Sequence, residues 1–147
     1  MKNLIIILLS IISVQVYAPP SQPFPTKEQS YQFTILTNPQ FRIYYPLIKA
    51  VVYVESRGND SAYNPKENAI GAFQIRDCRI QHYNQLTGKN YTHDEMYQHE
   101  KAEEVFMYFT QNRDFETIAR AWCSGENGTR KASNKYWNLI KHQLNQL

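Results

Sequence analysis

Glu55 is a carboxyl group whose sequence neighbours would suit an acid catalyst. Glu55 follows the valine-rich segment 51–54 and precedes Gly58, a residue typical of a left-handed helix end. Apolar neighbours withdraw water from a carboxyl group, and the negative end of a helix dipole opposes its ionisation. Both effects raise the pKa of Glu55, as a general acid working near neutral pH requires. A glutamate before Ser-Arg-Gly is, on its own, also typical of a solvated helix end.

A second segment downstream carries groups suited to holding a sugar. Gly71 and Gln74 form the pattern Gly-x-x-Gln-Ile at an expected helix start. Glycine lets the chain turn sharply and lets a ligand approach the backbone. The Gln74 amide offers both a donor and an acceptor to a sugar hydroxyl or N-acetyl group. Together with Glu55, this segment favours a carbohydrate-cleaving site over a solvated helix end.

These two blocks resemble the soluble lytic transglycosylase domain family, which shares its fold with goose-type lysozyme. The matching residues are Glu55-Ser56, the loop 59–68 and Gly71-Ala72-Phe73-Gln74-Ile75. A looser third block, Ala121-Trp122-Cys123-Ser124-Gly125, is similar to a family pattern like Ala-Tyr-Asn-Ala-Gly. The resemblance covers roughly residues 45–140, which is most of the chain.

The resemblance implies cleavage of the β-1,4 bond between N-acetylmuramic acid and N-acetylglucosamine in peptidoglycan glycan strands, with no cofactor and no metal. Glu55 would protonate the glycosidic oxygen. As a carboxylate it would then take the proton from the muramic acid 6-hydroxyl, which closes a 1,6-anhydro ring. Because water is not consumed, no second carboxylate is needed, unlike most glycoside hydrolysis. The resemblance also implies that Ser56 and Gln74 orient the glycan and that Gly71 shapes the groove.

The third block departs from the family pattern at several positions. Trp122 stands where the family has an active-site tyrosine, so an aromatic face for sugar stacking is kept and the phenol hydroxyl is replaced by an indole donor. Cys123 replaces the usual asparagine, and Glu126 stands where proline is common. Trp122 and Gly125 are still expected to bind substrate.

Two other functions stay open at this point. A goose-type hydrolase would use water, which Asp60 or Glu67 could activate, and a wall-binding protein would keep the scaffold without turnover, as the Cys123 substitution allows. The 16 Lys and Arg and the 13 Asp and Glu are scattered, so no basic stripe predicts nucleic-acid binding. His93 and His99 lack the spacing of a compact metal pair.

The N-terminus predicts export. Lys2, an apolar run over 4–16 and a small-x-small tripeptide ending in Ala18 are typical of a signal peptide cleaved after that residue. The run is short of the ~20 apolar residues of a membrane helix, although an uncleaved anchor is the alternative. Four early prolines indicate a linker over 19–30, and 31–147 suits one compact domain. We expect a periplasmic or extracellular monomer that meets no membrane beyond its signal segment.

Two cysteines are expected to pair in such a compartment. Outside the reducing cytosol, Cys78 and Cys123 can form a disulfide. That bond would tie the third block to the helix following Gln74 and constrain the unfolded chain by roughly 3–4 kcal/mol. Two unlinked thiols are the alternative.

Helical patterns account for nearly all of the domain. Pro46 is typical of a first helical residue, so the first core helix is expected from there to about Gly58. Further helices are predicted over 73–86, over 100–111, after an Asp114 cap and over 132–144, with a capping box at Thr92 and Glu95. A strand is predicted at most over 31–36. The predicted fold class is mainly α, a lysozyme-like single domain of about five to six helices with little or no β structure.

Overall fold

The computed structural model describes residues 39–110, 112–126, 128 and 130–147. Five α-helices fill most of this part of the chain: α1 Pro39–Ser56, α2 Asp77–Thr87, α3 His99–Tyr108, α4 Phe115–Ser124 and α5 Arg130–Leu144. A 3-10 helix over Asp94–Tyr97 precedes α3.

The mainly α prediction is confirmed. The predicted signal peptide, linker and strand lie outside the described residues. Within the described ranges, no helix has the length and apolar character needed to cross a membrane.

Helix α1 begins at Pro39, earlier than the start predicted at Pro46. Pro46 lies inside the helix, where a proline removes one backbone hydrogen bond. Phe41 and Tyr44 of the preceding turns are buried, and the Tyr44 hydroxyl donates to the Arg113 carbonyl oxygen at 3.0 Å. This packing offsets the cost of the proline, because tertiary contacts stabilise most helices in proteins.

A small antiparallel sheet follows α1, in a region predicted to be loop and helix start. Its strands are β1 Tyr63–Asn64, β2 Ala69–Ile70 and β3 Ile75–Arg76, in that spatial order, with Tyr63 opposite Ile70 and Ile70 opposite Ile75. Strands of two residues are too short to show an alternating pattern, so they could not be predicted from the sequence. Helix α2 consequently begins at Asp77 and not near Phe73.

The core lies between α1, α4 and α5, which pack on one another, and extends to α3. Leu47 and Val51 of α1, Phe106 of α3, Ile118 of α4 and Ile140 of α5 are fully or almost fully buried. This arrangement fixes the C-terminal end of α1 against the other helices. It also brings α5 beside the residues that end α1.

Several helix ends follow the predicted signals. The Asp114 side chain caps α4 by accepting the backbone N–H of Thr117 at 2.9 Å. Gly88 ends α2 in the left-handed conformation. The Glu95 carboxylate accepts the backbone N–H of Thr92 at 2.7 Å, so the capping-box contact before α3 is confirmed.

Candidate active site

A cleft of about 500 Å³ opens where the end of α1 meets the sheet, the start of α2 and the end of α4. Four residues predicted to act on substrate line it: Glu55, Gln74, Trp122 and Gly125. Its walls also include five residues for which no site role was predicted: Asn64, Arg76, Arg79, Ser124 and Tyr136. The cleft therefore combines a carboxyl group, amides, cations and aromatic surface.

Glu55 lies in the last turn of α1 with its carboxyl group in the cleft wall. The Tyr136 hydroxyl of α5 donates a hydrogen bond to Glu55 Oε1 at 2.7 Å. Burial raises the pKa of Glu55 to about 7, although the Tyr136 hydrogen bond opposes the rise. The charge of Glu67 raises this pKa further, and Arg76 and Arg79 lower it. A group that titrates near neutral pH can both give and take a proton.

Tyr136 is the residue in contact with Glu55 that the sequence did not reveal. Its phenol is partly buried, and that burial, together with the charge of Glu55, raises the pKa of Tyr136 well above its usual value. The hydroxyl therefore stays protonated and donates to Glu55. A phenol thus reaches the carboxyl group although the third block has no tyrosine. Eighty-one positions separate the two residues, so no local spacing could have paired them.

Ser56 holds the Gly71–Gln74 turn against the end of α1. Its hydroxyl donates to the Ala72 carbonyl oxygen at 2.9 Å and accepts the backbone N–H of Asn59 at 3.1 Å. Ser56 does not line the cleft. The structure therefore gives it a positioning role, whereas direct contact with the glycan had been expected.

Position 71 requires glycine for two reasons, its backbone conformation and a close neighbouring atom. It is buried with φ 75°, and a Cβ atom at this position would lie 2.1 Å from the carbonyl oxygen of Met96. Gly71 shapes the turn without lining the cleft. Gln74, which does line it, donates both amide hydrogens, to the Gly71 oxygen at 3.0 Å and the Ala62 oxygen at 3.5 Å. An amide oxygen is a hydrogen-bond acceptor, and among the described residues no donor to the Gln74 oxygen is found.

Trp122 forms a buried wall of the cleft, and its predicted stacking face is largely covered. Its side chain is 8% exposed, and its Nε1 donates to the Phe73 carbonyl oxygen at 3.3 Å. Phe106 packs edge-on at 4.9 Å between ring centroids, and the Arg79 guanidinium lies 4.3 Å from the indole centroid. Gly125, which ends α4 with φ 76°, lines the open part of the cleft.

The predicted disulfide is absent. Cys78 and Cys123 both line the cleft, but they are free thiols, the first exposed and the second partly buried. A disulfide needs a particular Cα separation and side-chain direction, which an oxidising compartment cannot supply. Arg79 makes the connection between α2 and α4 instead. Its Nη2 donates to the carbonyl oxygens of Ala121 at 3.4 Å and Trp122 at 3.2 Å.

The remaining candidate residues are held in pairs. Glu67 lines the cleft in an ion pair with Arg76 at 2.5 Å. Asp60 lies outside the cleft and bonds to His99 Nδ1 at 2.6 Å. His93 bonds to a backbone carbonyl of β3 at 2.8 Å. Across the part of the chain that the structure describes, no group of three or more His, Cys, Asp or Glu side chains could hold a metal ion.

Comparison with known proteins identifies the family. Neither a curated protein nor a solved structure matches the chain. A family model described as the transglycosylase SLT domain matches residues 35–114. The match spans slightly more than half of the chain and includes Glu55 and the Gly71–Gln74 turn, in agreement with the predicted lysozyme-like fold. The chain therefore belongs to the transglycosylase SLT domain family.

Proposed function

We propose that this protein cleaves the β-1,4 bond between N-acetylmuramic acid and N-acetylglucosamine without water, using Glu55 as its single acid and base. The observation that carries the proposal is the placement of Glu55, partly buried in a cleft wall beside the Tyr136 hydroxyl with a pKa of about 7. Membership of the family supports a peptidoglycan transglycosylase-type activity in general. The residues that line the cleft support the anhydro-forming reaction in particular.

The first step breaks the glycosidic bond. Protonated Glu55 gives its proton to the bridging oxygen as the bond from the muramic acid C1 carbon breaks and positive charge develops on the sugar ring. The leaving N-acetylglucosamine end keeps the proton as a hydroxyl group. Glu55 is left as a carboxylate, which accepts the Tyr136 hydrogen bond and lies in the field of Arg76 and Arg79. Those contacts limit the cost of the buried charge.

The second step returns the proton and closes a ring. The Glu55 carboxylate takes the proton of the muramic acid 6-hydroxyl as that oxygen bonds to C1. The product carries a 1,6-anhydro ring, and Glu55 is protonated for the next cycle. One carboxyl group thus serves both steps, and a pKa near neutral suits it to both.

The hydrolytic alternative needs a base to activate water. Glu67 is the cleft-lining candidate, but its carboxylate is held by Arg76 at 2.5 Å. Activating a water would compete with that charge-assisted hydrogen bond. Asp60, the other candidate, bonds to His99 outside the cleft. These pairings favour the route that needs no second carboxylate.

Product masses test the proposed reaction. Purified peptidoglycan digested by the wild-type protein should yield muropeptides that end in 1,6-anhydromuramic acid, each lighter by one water than a reducing-end product. Mass spectrometry distinguishes the two classes, and Glu67→Gln should give the same anhydro products. Reducing ends that disappear in Glu67→Gln would establish the hydrolase instead. A protein that binds sacculi and releases no soluble product would be a wall-binding protein.

The site of action follows from the substrate. We propose that the protein acts in the periplasm or outside the cell, after export by the segment 1–18, because peptidoglycan lies there. We further propose that it acts there as a monomer.

A further inference from the structure

Arg79 places a fixed cation on the wall of the cleft. Its Nη2 donates to the carbonyl oxygens of Ala121 and Trp122, and its guanidinium lies over the Trp122 ring. These contacts come from the end of α4, so the orientation of the guanidinium is set by the fold. Within the described residues, the Arg79 Nε and Nη1 groups have no hydrogen-bond acceptor. These two groups are therefore available to donate hydrogen bonds to a ligand.

This cation has no ion pair in the part of the chain that the structure describes. The carboxylates of Glu55 and Glu126 act on it through space only, and Glu126 is held by Arg113 through bonds of 2.8 and 2.5 Å. The other cation of the cleft, Arg76, is paired with Glu67. Arg79 therefore differs from Arg76 in lacking a carboxylate of its own.

Arg79 is partly buried, which makes the missing ion-pair partner significant. Loss of water around Arg79 lowers its pKa, but a guanidinium stays protonated in proteins. An unpaired cation held away from water costs free energy, and an anion that arrives with the substrate offsets that cost. Two parallel N–H groups of a guanidinium match the two oxygens of a carboxylate.

We propose that Arg79 binds a carboxylate attached to the muramic acid residue and so selects muramic acid-containing strands over neutral glycans. The inference rests on the proposed function. N-acetylglucosamine carries no charge. The lactyl group of N-acetylmuramic acid ends in a free carboxylate on peptide-free strands, and on substituted strands it is joined to a peptide with carboxylates of its own. Both sources present the same chemistry to Arg79.

Binding without turnover tests this selection. Three glycans of equal length would be titrated by calorimetry into Glu55→Gln protein with and without Arg79→Gln: a peptide-free N-acetylglucosamine–N-acetylmuramic acid oligomer, its peptide-bearing form and a neutral N-acetylglucosamine oligomer. Arg79→Gln should raise the Kd of a carboxylate-bearing glycan about tenfold or more. The neutral glycan should lose less affinity. If only the peptide-free oligomer loses affinity, Arg79 binds the lactyl carboxylate. If only the peptide-bearing oligomer loses affinity, Arg79 binds a carboxylate of the peptide.

Matched variants separate charge recognition from damage to the wall. Arg42→Gln removes an exposed cation of α1 outside the cleft, and it should leave the ratio of the Kd values unchanged. Arg79→Lys keeps the charge without the planar fork and should give an intermediate ratio. If Arg79→Gln does not fold, the Arg79→Lys ratio decides the test. Equal losses for all three glycans, or none for the charged ones, would overturn the proposal.

The two hypotheses fail differently. If the wild-type protein does not cleave peptidoglycan, the proposed function is wrong, yet the Kd ratio still measures whether Arg79 prefers a carboxylate. If cleavage occurs but Arg79→Gln leaves the ratio unchanged, only the role of Arg79 is wrong.

Discussion

Glu55→Gln should lower the rate of peptidoglycan cleavage by about 10²–10⁴-fold or more, the range expected when a general acid is removed. The amide keeps the size of the side chain and its place beside Tyr136, but it has no proton to give to the glycosidic oxygen. Release of soluble muropeptides from purified sacculi measures the rate. Glu100→Gln, which makes the same change on the exposed surface of α3, should retain the wild-type rate. Wild-type activity in Glu55→Gln would refute the mechanism.

A stability measurement distinguishes a chemical loss of activity from unfolding of the variant. The pKa of Glu55 is raised from 4.5 to about 7 in the folded protein, so the folded chain holds this proton more tightly than the unfolded chain. The resulting stability is fully present below pH 4.5 and is lost as the pH rises to about 7, by at most roughly 3 kcal/mol. Thermal unfolding should therefore show Glu55→Gln gaining stability relative to wild type across that range. A variant that is inactive because it is unfolded would behave otherwise.

Gly71→Ala should produce the largest loss of stability among single substitutions at the site. The new Cβ atom would meet the Met96 carbonyl oxygen, 2.1 Å away, and the backbone is held at φ 75°. Left-handed strain costs about 1–3 kcal/mol, and overpacking adds about 1–3 kcal/mol. Together they remove a large part of the roughly 5–15 kcal/mol that stabilises a typical protein. Urea unfolding measures the difference.

Gly58→Ala supplies the matched control for that substitution. Gly58 also has a positive φ, 81°, but a Cβ atom there would have no neighbour within 4 Å. It should show the backbone cost alone. If Gly71→Ala and Gly58→Ala lost equal stability, the close approach to Met96 would not be the reason for glycine at position 71. Because the turn also carries Gln74, we expect any Gly71→Ala protein that folds to lose activity.

The sequence predicted the parts of the site that depend on residues close together in the chain. Glu55 lies just before a glycine typical of a helix end, and Gln74 follows Gly71 by three positions, so a short-range pattern was enough to reveal each segment. The resemblance to the family joined the two segments. The Asp114 cap and the Gly88 helix end follow from the same kind of signal. Such features depend on residues within one or two helical turns of each other.

Features that depend on long-range packing were missed. Tyr136 reaches Glu55 only because α5 packs on α1. The early start of α1 depends on the burial of Phe41 and Tyr44, and no pattern revealed that the Trp122 face would be covered by Arg79. The disulfide prediction was wrong because an oxidising compartment favours disulfide formation but does not bring two cysteines into the geometry that the bond requires.

The proposed mechanism requires a water-poor pocket that keeps the Glu55 carboxyl group protonated at near-neutral pH. Side-chain carboxyl NMR across a pH titration measures it directly, with Glu55→Gln identifying the resonance. We predict a pKa of about 7 for the wild-type protein and a higher one in Tyr136→Phe, because the lost hydrogen bond stabilised the carboxylate. A pKa near 4.5, the ordinary value for glutamate, would show that the pocket does not hold this proton and that Glu55 is not the general acid.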